Sequence, residues 1–144
     1  MKLCIFSDSH GRADLVKKLP LADAYLFCGD GLGDLRELPG AVYAVCGNCD
    51  WGSRQPETLL LELGGRRILM THGHKYRVKF DLYRLALAAR EADAGIAVYG
   101  HTHIPNRMED NGLLLLNPGA LSGRAATCLL LDTDTMETEW VEMK

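Results

Sequence analysis

The chain has 144 residues, of which 47% are hydrophobic, and its 16 basic and 19 acidic residues give a net charge of −3. This length and apolar content suffice for one compact domain with a buried core, so we expect a single domain over residues 1–144. The mixed, slightly acidic charge gives no reason to expect nucleic acid or an anionic membrane as a partner.

The sequence also indicates a cellular compartment. No apolar run approaches the roughly 18 residues of a membrane span, and the apolar run after Met1 is too short for a signal peptide. The five cysteines are an odd number in a chain without an export signal, which favours reduced thiols over a disulfide framework. We therefore predict a cytoplasmic protein.

The first half of the chain repeats one pattern, in which a short apolar run ends in a polar cluster that contains glycine. Such runs are typical of buried strands, and we predict helix after the first and one or two helical turns after the second, at Arg12 to Leu19 and Leu32 to Leu38. The predicted strands are Lys2 to Ser7, Ala24 to Cys28 and Ala41 to Cys46. Because neighbouring parallel strands end at the same edge of a sheet, the polar residues that follow them should gather there. These residues are Asp8, His10, Asp30 and Asn48.

The second half begins with a predicted hairpin over residues 58–71, which leads directly into Thr71-His72-Gly73-His74. Residues 80–91 have apolar side chains at helical spacing and predict a helix. A strand over residues 96–99 then ends in Gly100-His101-Thr102-His103. Residues 108–116 predict a second hairpin, and residues 125–143 a pair of antiparallel strands. Two sheets packed face to face with helices outside would fit this order of elements.

The five histidines all follow short apolar runs, and four of them occur in the two closely spaced pairs named above. A lone His-x-His is most often a pair of polar loop residues, so the other strand-end residues decide its meaning. Carboxylate, amide and imidazole ligands suit Mn²⁺, Zn²⁺, Fe or Ni²⁺ better than Ca²⁺. Seven such donors are too many for one open transition-metal site, whereas two metals that share one carboxylate would use them all. The seven are Asp8, His10, Asp30, Asn48, His72, His101 and His103.

The order Asp-x-His, Gly-Asp, Gly-Asn-x-Asp, His-Gly-His and Gly-His-Thr-His closely resembles the calcineurin-like metallophosphoesterase superfamily, over residues 3–119. Within it the chain is similar to the small single-domain phosphodiesterases of prokaryotes. The resemblance implies an α/β fold, a double β-sandwich of two mixed sheets flanked by helices. It also implies two divalent cations, for which Mn²⁺ is our first expectation, and a small phosphodiester substrate cleaved by direct attack of a metal-bridging hydroxide.

Carried over residue by residue, the resemblance implies two metal sites. Asp30 would bridge the two cations. One cation would be held by Asp8, His10 and His103, and the other by Asn48, His72 and His101.

The chain departs from the family at Cys49. Many members have histidine at this position, where it is thought to protonate the leaving group. A neutral thiol can donate a proton, but beside two dications it can also ionise or bind metal, so the general acid is open. We expect Asp50 to orient a ligand or the proton donor, and His74 to be either a residue that supports the ligands or a simple loop histidine.

Two other functions compete with hydrolysis. Cys46 and Cys49 form a C-x-x-C sequence, but a thioredoxin-like pair normally opens a helix and the residues up to Pro56 do not continue helically. The chain also resembles the retromer scaffold subunit, which has the same fold, works mainly by binding partners and lacks some of the ligands. All the ligand positions are filled here, which favours an enzyme. The sequence predicts no oligomeric state and no particular phosphodiester.

Overall fold

The computed structural model describes residues 1–144, which form two mixed β-sheets of five strands each. The first sheet has the strand order β10-β9-β1-β2-β3 and the second the order β4-β5-β6-β8-β7. The strands are β1 (Lys2–Phe6), β2 (Ala24–Phe27), β3 (Ala41–Ala44), β4 (Thr58–Leu63), β5 (Arg66–Thr71), β6 (Ile96–Val98), β7 (Asn106–Asp110), β8 (Leu113–Asn117), β9 (Thr127–Asp132) and β10 (Thr138–Glu142).

Each sheet has three parallel strands, which occupy one side of the first sheet and the centre of the second. In the first sheet β1, β2 and β3 are parallel, and β9 and β10 are antiparallel additions. In the second sheet β5, β6 and β8 are parallel, and β4 and β7 form the antiparallel edges. The carboxyl ends of the parallel strands therefore deliver their loops to one edge of each sheet.

The main core lies between the sheets and contains alternate residues of the central strands, such as Leu3, Ile5, Met70 and Val98. The opposite faces of β1 and β2 pack under the helix α1 (Ala13–Val16), and those of β6 and β8 pack under α2 (Tyr83–Glu91). This arrangement confirms the predicted double sandwich.

The helices are shorter than predicted. The helix expected over Arg12 to Leu19 spans only Ala13–Val16, because Leu19 precedes Pro20 and such residues avoid helical backbone angles. The turns expected over Leu32 to Leu38 reduce to a 3₁₀ turn at Leu32–Asp34. The helix expected from residue 80 begins at Tyr83, whose backbone N–H donates a hydrogen bond to the Asp81 carboxylate. No helix is long and apolar enough to cross a bilayer.

Hydrogen bonds between the two sheets show which of their edge strands lie next to each other. Arg107 of β7 donates a hydrogen bond to the Thr138 hydroxyl of β10, with an N–O distance of 2.8 Å. At the other side, the N–H of Cys46, just beyond β3, donates to the carbonyl of Pro56, just before β4. Strands β7 and β10 therefore lie at one side of the sandwich, and β3 and β4 at the other.

Candidate metal centre

The seven predicted metal ligands come from the loops that follow five parallel strands. The loop after β1 contains Asp8 and His10, and the loops after β2 and β3 contain Asp30 and Asn48. In the second sheet, His72 directly follows β5, and the loop after β6 contains both His101 and His103. Backbone hydrogen bonds join neighbouring loops, for example from the Asp8 N–H to the Gly29 carbonyl and from the Gly100 N–H to the His72 carbonyl.

Six of these residues lie in three overlapping clusters, in each of which the possible ligand atoms lie within 4.8 Å of one another. His10 belongs to the first two clusters and Asp30 to the last two, so the clusters form one continuous row. They consist of Asp8, His10 and His103; of His10, Asp30 and Cys49; and of Asp30, His72 and His101. Asn48 lies in the turn beside the row, with an exposed side chain whose amide nitrogen is 3.5 Å from the Cys49 sulfur.

Five of the seven residues have left-handed backbone angles. Residues other than glycine seldom adopt positive φ, and each such position costs about 1–3 kcal/mol where the surrounding structure enforces it. The five are Asp8, His10, Asp30, His101 and His103, with φ between 38° and 70°. Strain of this kind concentrates where side chains must point in a set direction, and here it falls on the loops that bring the donors together.

Two glycines allow the loops to approach the carboxylates. A Cβ atom on Gly47 would lie 2.1 Å from an Asp30 carboxylate oxygen. A Cβ atom on Gly100 would lie 2.1 Å from the Ser7 hydroxyl and 2.7 Å from an Asp8 carboxylate oxygen. Both positions therefore require glycine for space alone, since neither has a positive φ.

The two carboxylates are buried without a lysine or arginine partner. Asp8 and Asp30 are 0% and 2% exposed, and every ion-pair contact within 4.0 Å of them comes from a histidine. Buried carboxylates need a positive partner, because desolvation of an unpaired charge is costly. The site therefore needs positive charge beside the two carboxylates. The protein's own side chains supply that charge only when the histidines are protonated.

The orientation of His72 gives a direct test of whether a metal fits. Its Nδ1 lies 2.7 Å from the carbonyl oxygen of Cys28, which can only accept, so Nδ1 carries a proton. In the neutral ring the Nε2 lone pair then faces a carboxylate oxygen of Asp30 at 3.2 Å. Two lone pairs at this distance require a proton or a metal cation between them. The residues therefore fit a divalent cation of the kind that the donor set favours.

The titration of the histidines agrees with this geometry. Burial by itself lowers the pKa of His72, but its hydrogen bond with Asp30 and the charge of Asp8 outweigh burial and raise that pKa above its ordinary value. Burial and the neighbouring His72 lower the pKa of His101 to about 4. For Asp30, burial favours a higher pKa, but contacts with His72 and the Cys49 N–H prevail, so its pKa is well below the ordinary value.

Asp50 lies outside the row of ligands and holds its backbone in place. Its two carboxylate oxygens accept hydrogen bonds of 2.7 to 3.0 Å from four backbone N–H groups. These four groups belong to Asp30, Gly31, Leu32 and Gly47. Burial acts to raise the pKa of Asp50, but these bonds outweigh it and lower that pKa. Asp50 therefore fixes the loop that contains Asp30 against the loop that contains Asn48.

Cys49 and His74 lie beside different ligands of the row. The Cys49 sulfur is exposed and belongs to the cluster with His10 and Asp30, and burial and the Asp30 charge raise its thiol pKa. The His74 ring lies 5.5 Å from the His72 ring and 6.1 Å from the His101 ring, between centroids. Its Nδ1 is buried without a hydrogen-bond partner.

Three residues that support the site were not predicted as functional. The Ser7 hydroxyl donates to Asp8, and the Asp34 carboxylate accepts from the Ser9 hydroxyl and the Gly11 N–H. The Asn117 amide donates to the Gly100 carbonyl and the Thr102 hydroxyl. Ser7 and Asn117 could have been found from the sequence, because each is a polar residue directly beside an apolar run. Asp34 gave no such signal.

The C-x-x-C pair lacks the helical setting that is typical of a thioredoxin-like redox pair. Cys46 and Cys49 are both free thiols, the first partly buried and the second exposed. Residues 46–52 form turns rather than the first turn of a helix. Cys4, Cys28 and Cys128 are buried free thiols.

A model of the calcineurin-like phosphoesterase superfamily domain matches residues 1–136. This chain belongs to that superfamily. The probable metallophosphoesterase YsnB of Bacillus subtilis is 35% identical over 127 residues, which cover 84% of this chain and 75% of YsnB. The superfamily implies divalent metal ions and a phosphoesterase activity, and the row of donors above fits both.

Solved structures of the superfamily have the same architecture. A predicted phosphoesterase from Streptococcus pneumoniae has a TM-score of 0.85 and 29% identity, over 98% of this chain and 88% of its own. A novel archaeal phosphodiesterase has a TM-score of 0.81 and 23% identity, over 99% of both chains. Vps29 from Entamoeba histolytica has a TM-score of 0.80 and 24% identity, over the whole of both chains. The last two likenesses establish the fold alone.

Proposed function

We propose that this protein is a phosphodiesterase that binds two divalent cations and hydrolyses a small phosphodiester. The observation on which the proposal depends is the position of Asp30, whose carboxylate lies in both the cluster with His10 and the cluster with His72 and His101. A single carboxylate between two sets of imidazoles is what two cations with one shared ligand require.

The proposed ligand sets follow the two ends of the row. Asp8, His10 and His103 would hold one cation, and Asn48, His72 and His101 the other, with Asp30 between them. When bound, such a pair of cations supplies an activated water and neutralises charge on the phosphoryl oxygens. Mn²⁺ is our first candidate, and Ni²⁺, Zn²⁺ or Fe would suit the same donors.

The chain's own residues would position the substrate and the ligands. Two dications and two carboxylates leave a net charge of about +2, which attracts an anionic phosphodiester. The Cys28 carbonyl fixes the His72 tautomer, and Asp50 fixes the loop of Asp30, so the donors are oriented before substrate arrives. The exposed Cys49 and the buried Nδ1 of His74 are the two candidates to donate a proton or hydrogen bond near the leaving group.

Two open cavities beside the candidate metal centre favour a phosphodiester over a phosphomonoester as the substrate. Beyond the His101–His103 loop, an open groove of about 620 Å³ is lined by Thr102, Tyr99, the polar residues Lys79, Asp81 and Asn106, and four apolar side chains. These are Val78, Leu82, Ile104 and Met108. Past β3, at the other side of the sandwich, a second open cavity of about 550 Å³ lies against Cys49 and Asp50. A phosphodiester has two organic arms that need such surfaces, whereas a monoester has one.

A binding role without catalysis is the second candidate. The fold shared with Vps29 fits it, as do the exposed apolar side chains of Phe80 and Ile104, which are 82% and 65% exposed. The complete set of seven donors favours the enzyme, because a scaffold has no need of strained loops and two buried carboxylates whose ion-pair contacts are all with histidines.

The test is hydrolysis by metal-stripped protein to which Mn²⁺, Ni²⁺, Zn²⁺ or Mg²⁺ is restored. The substrates are bis-p-nitrophenyl phosphate and p-nitrophenyl phosphate, assayed beside Asp30→Asn, His101→Ala and the control Asp14→Asn, which changes an exposed carboxylate. We expect metal-dependent cleavage of the diester that both site variants lose by more than about 100-fold and the control keeps. A folded protein that binds two ions but cleaves neither ester with any metal would favour the binding role.

A further inference from the structure

The loop after β3 presents a large aromatic side chain to solvent. Trp51 is 91% exposed, more than any other large hydrophobic residue in the chain. The second tryptophan, Trp140, is partly buried and its indole N–H donates to the Asn117 carbonyl. A fully solvated indole contributes nothing to the core, and aromatic rings placed this way commonly serve recognition.

The backbone around Trp51 is held firmly although its side chain is free. The preceding residue, Asp50, accepts four backbone hydrogen bonds and its own N–H donates to the Gly47 carbonyl. The N–H of Ser53 donates back to the Asp50 carbonyl, and Gly52 supplies the positive φ of 72° that closes the turn. The indole is thus mounted on a fixed base, which lowers the entropy lost when a ligand packs against it.

Trp51 lines a cavity that reaches Cys49, a residue beside the candidate metal ligands. The open cavity of about 550 Å³ is bordered by Trp51, Leu32, Gly33 and Ser53 and reaches Cys49 and Asp50. The Cys49 sulfur in turn lies within 4.8 Å of ligand atoms of His10 and Asp30. A phosphoryl group at the metals would therefore direct one ester arm along this cavity towards Trp51.

We propose that Trp51 is a stacking platform for a planar ring on one ester arm of the substrate, so that the preferred substrates are phosphodiesters with an aryl or heterocyclic group. The proposal rests on the proposed function, since it places the phosphoryl group at the metal pair. A planar ring is favoured over an alkyl chain because Trp51 is 91% exposed and therefore open to a stacked partner, and stacking on an aromatic ring favours flat partners.

The test compares two ligands that differ only in the ring. Phenylphosphonate and ethylphosphonate resist hydrolysis, and at a pH above the second pKa of both each is a dianion, so isothermal titration of Zn²⁺-loaded protein at that pH measures binding without turnover and at equal ligand charge. We expect phenylphosphonate to bind roughly 5- to 100-fold more tightly, as base stacking on aromatic side chains does. Trp51→Ala should remove the difference, Trp51→Phe should keep most of it, and Tyr83→Ala, which removes another exposed ring, should leave it unchanged.

Three outcomes would overturn the proposal, each in its own way. Equal binding of both phosphonates to the unaltered protein would leave the metal-bound phosphoryl site standing and remove the ring subsite. A preference for the ring that survives in Trp51→Ala would place the subsite elsewhere. Failure of both phosphonates to bind would remove the ring subsite as proposed, and cleavage of bis-p-nitrophenyl phosphate by the same protein then decides separately whether the proposed function stands. A fall in KM discrimination between aryl and alkyl diesters in Trp51→Ala, with kcat for the alkyl diester unchanged, would support it.

Discussion

The Nε2 atom of His72 lies 3.1 Å from the Nδ1 atom of His101, although the two residues belong to loops that follow different strands. The same Nε2 faces Asp30 at 3.2 Å, and the ring cannot turn away because its Nδ1 is bonded to the Cys28 carbonyl. In the metal-free protein a proton on His72 satisfies this arrangement, and its pKa is raised accordingly. A metal ion must displace that proton.

We therefore predict that metal binding is coupled to proton release from His72. His101, with a pKa of about 4, is already neutral near pH 7 and contributes no proton. Since the pKa of His72 is raised, its proton is bound below that pKa and lost above it, so metal affinity should fall as the pH falls. The expected slope is about tenfold per pH unit for one proton. Titration calorimetry in HEPES and in Tris at several pH values measures the protons released, and pH-independent affinity would contradict the prediction.

Replacement of Cys49 by histidine should improve cleavage of diesters with poor leaving groups. The Cys49 sulfur lies beside His10 and Asp30, where an imidazole would reach the site and act as a stronger general acid near pH 7. We expect kcat for an alkyl leaving group to rise about tenfold or more, with little change for p-nitrophenolate. Cys49→Ala is the matched control, because it removes the thiol without supplying a donor. An equal effect across a series of leaving groups, or a loss of rate, would refute this role.

Asp50→Asn should destabilise the metal-free protein by about 3 kcal/mol at pH 7, because an amide cannot accept all four N–H groups that the carboxylate accepts. The pKa of Asp50 is lowered, so its contribution is present above its unfolded pKa and is lost as the pH falls through the folded one. Urea unfolding should therefore show a difference in the free energy of unfolding between the unaltered protein and Asp50→Asn, and this difference should become smaller as the pH falls. Asp14→Asn, at an exposed carboxylate, should change stability little. A difference in the free energy of unfolding that does not change with pH would contradict this role of the Asp50 carboxylate.

Gly100→Ala should weaken metal binding and also lower the stability of the fold, because the added Cβ crowds two buried side chains. The added Cβ would meet the Ser7 hydroxyl and the Asp8 carboxylate, which must move away from His103. Gly95→Ala is the control, since nothing lies within 4 Å of its Cβ position and its φ is not positive. Metal titration and thermal unfolding of both variants separate an effect on the site from one on the fold. Unchanged affinity in Gly100→Ala would show that the loop can adjust.

Much of the fold followed from the sequence because its strands are short apolar runs with clear ends. The predicted hairpins over residues 58–71 and 108–116 are present, with turns at Gly64-Gly65 and Asn111-Gly112, and all ten strands lie near the predicted positions. The helices were overestimated at residues 12–19 and 32–38. Apolar spacing indicates which side chains are buried, but whether a segment completes a helix depends on tertiary competitors, such as the use of Asp34 to hold Ser9 and Gly11.

The amino-acid sequence by itself determined which donors the protein has and that they follow strands, because residue type and apolar periodicity are local properties. It also determined membership of the superfamily, through five motifs in a fixed order. Only the tertiary structure decided that Asp30 lies between two sets of imidazoles, that His72 presents Nε2, that Asp50 accepts four N–H groups, and that Trp51 faces a cavity beside Cys49. These relationships join loops far apart in sequence, and they arise from the parallel register of neighbouring strands, which local patterns do not encode.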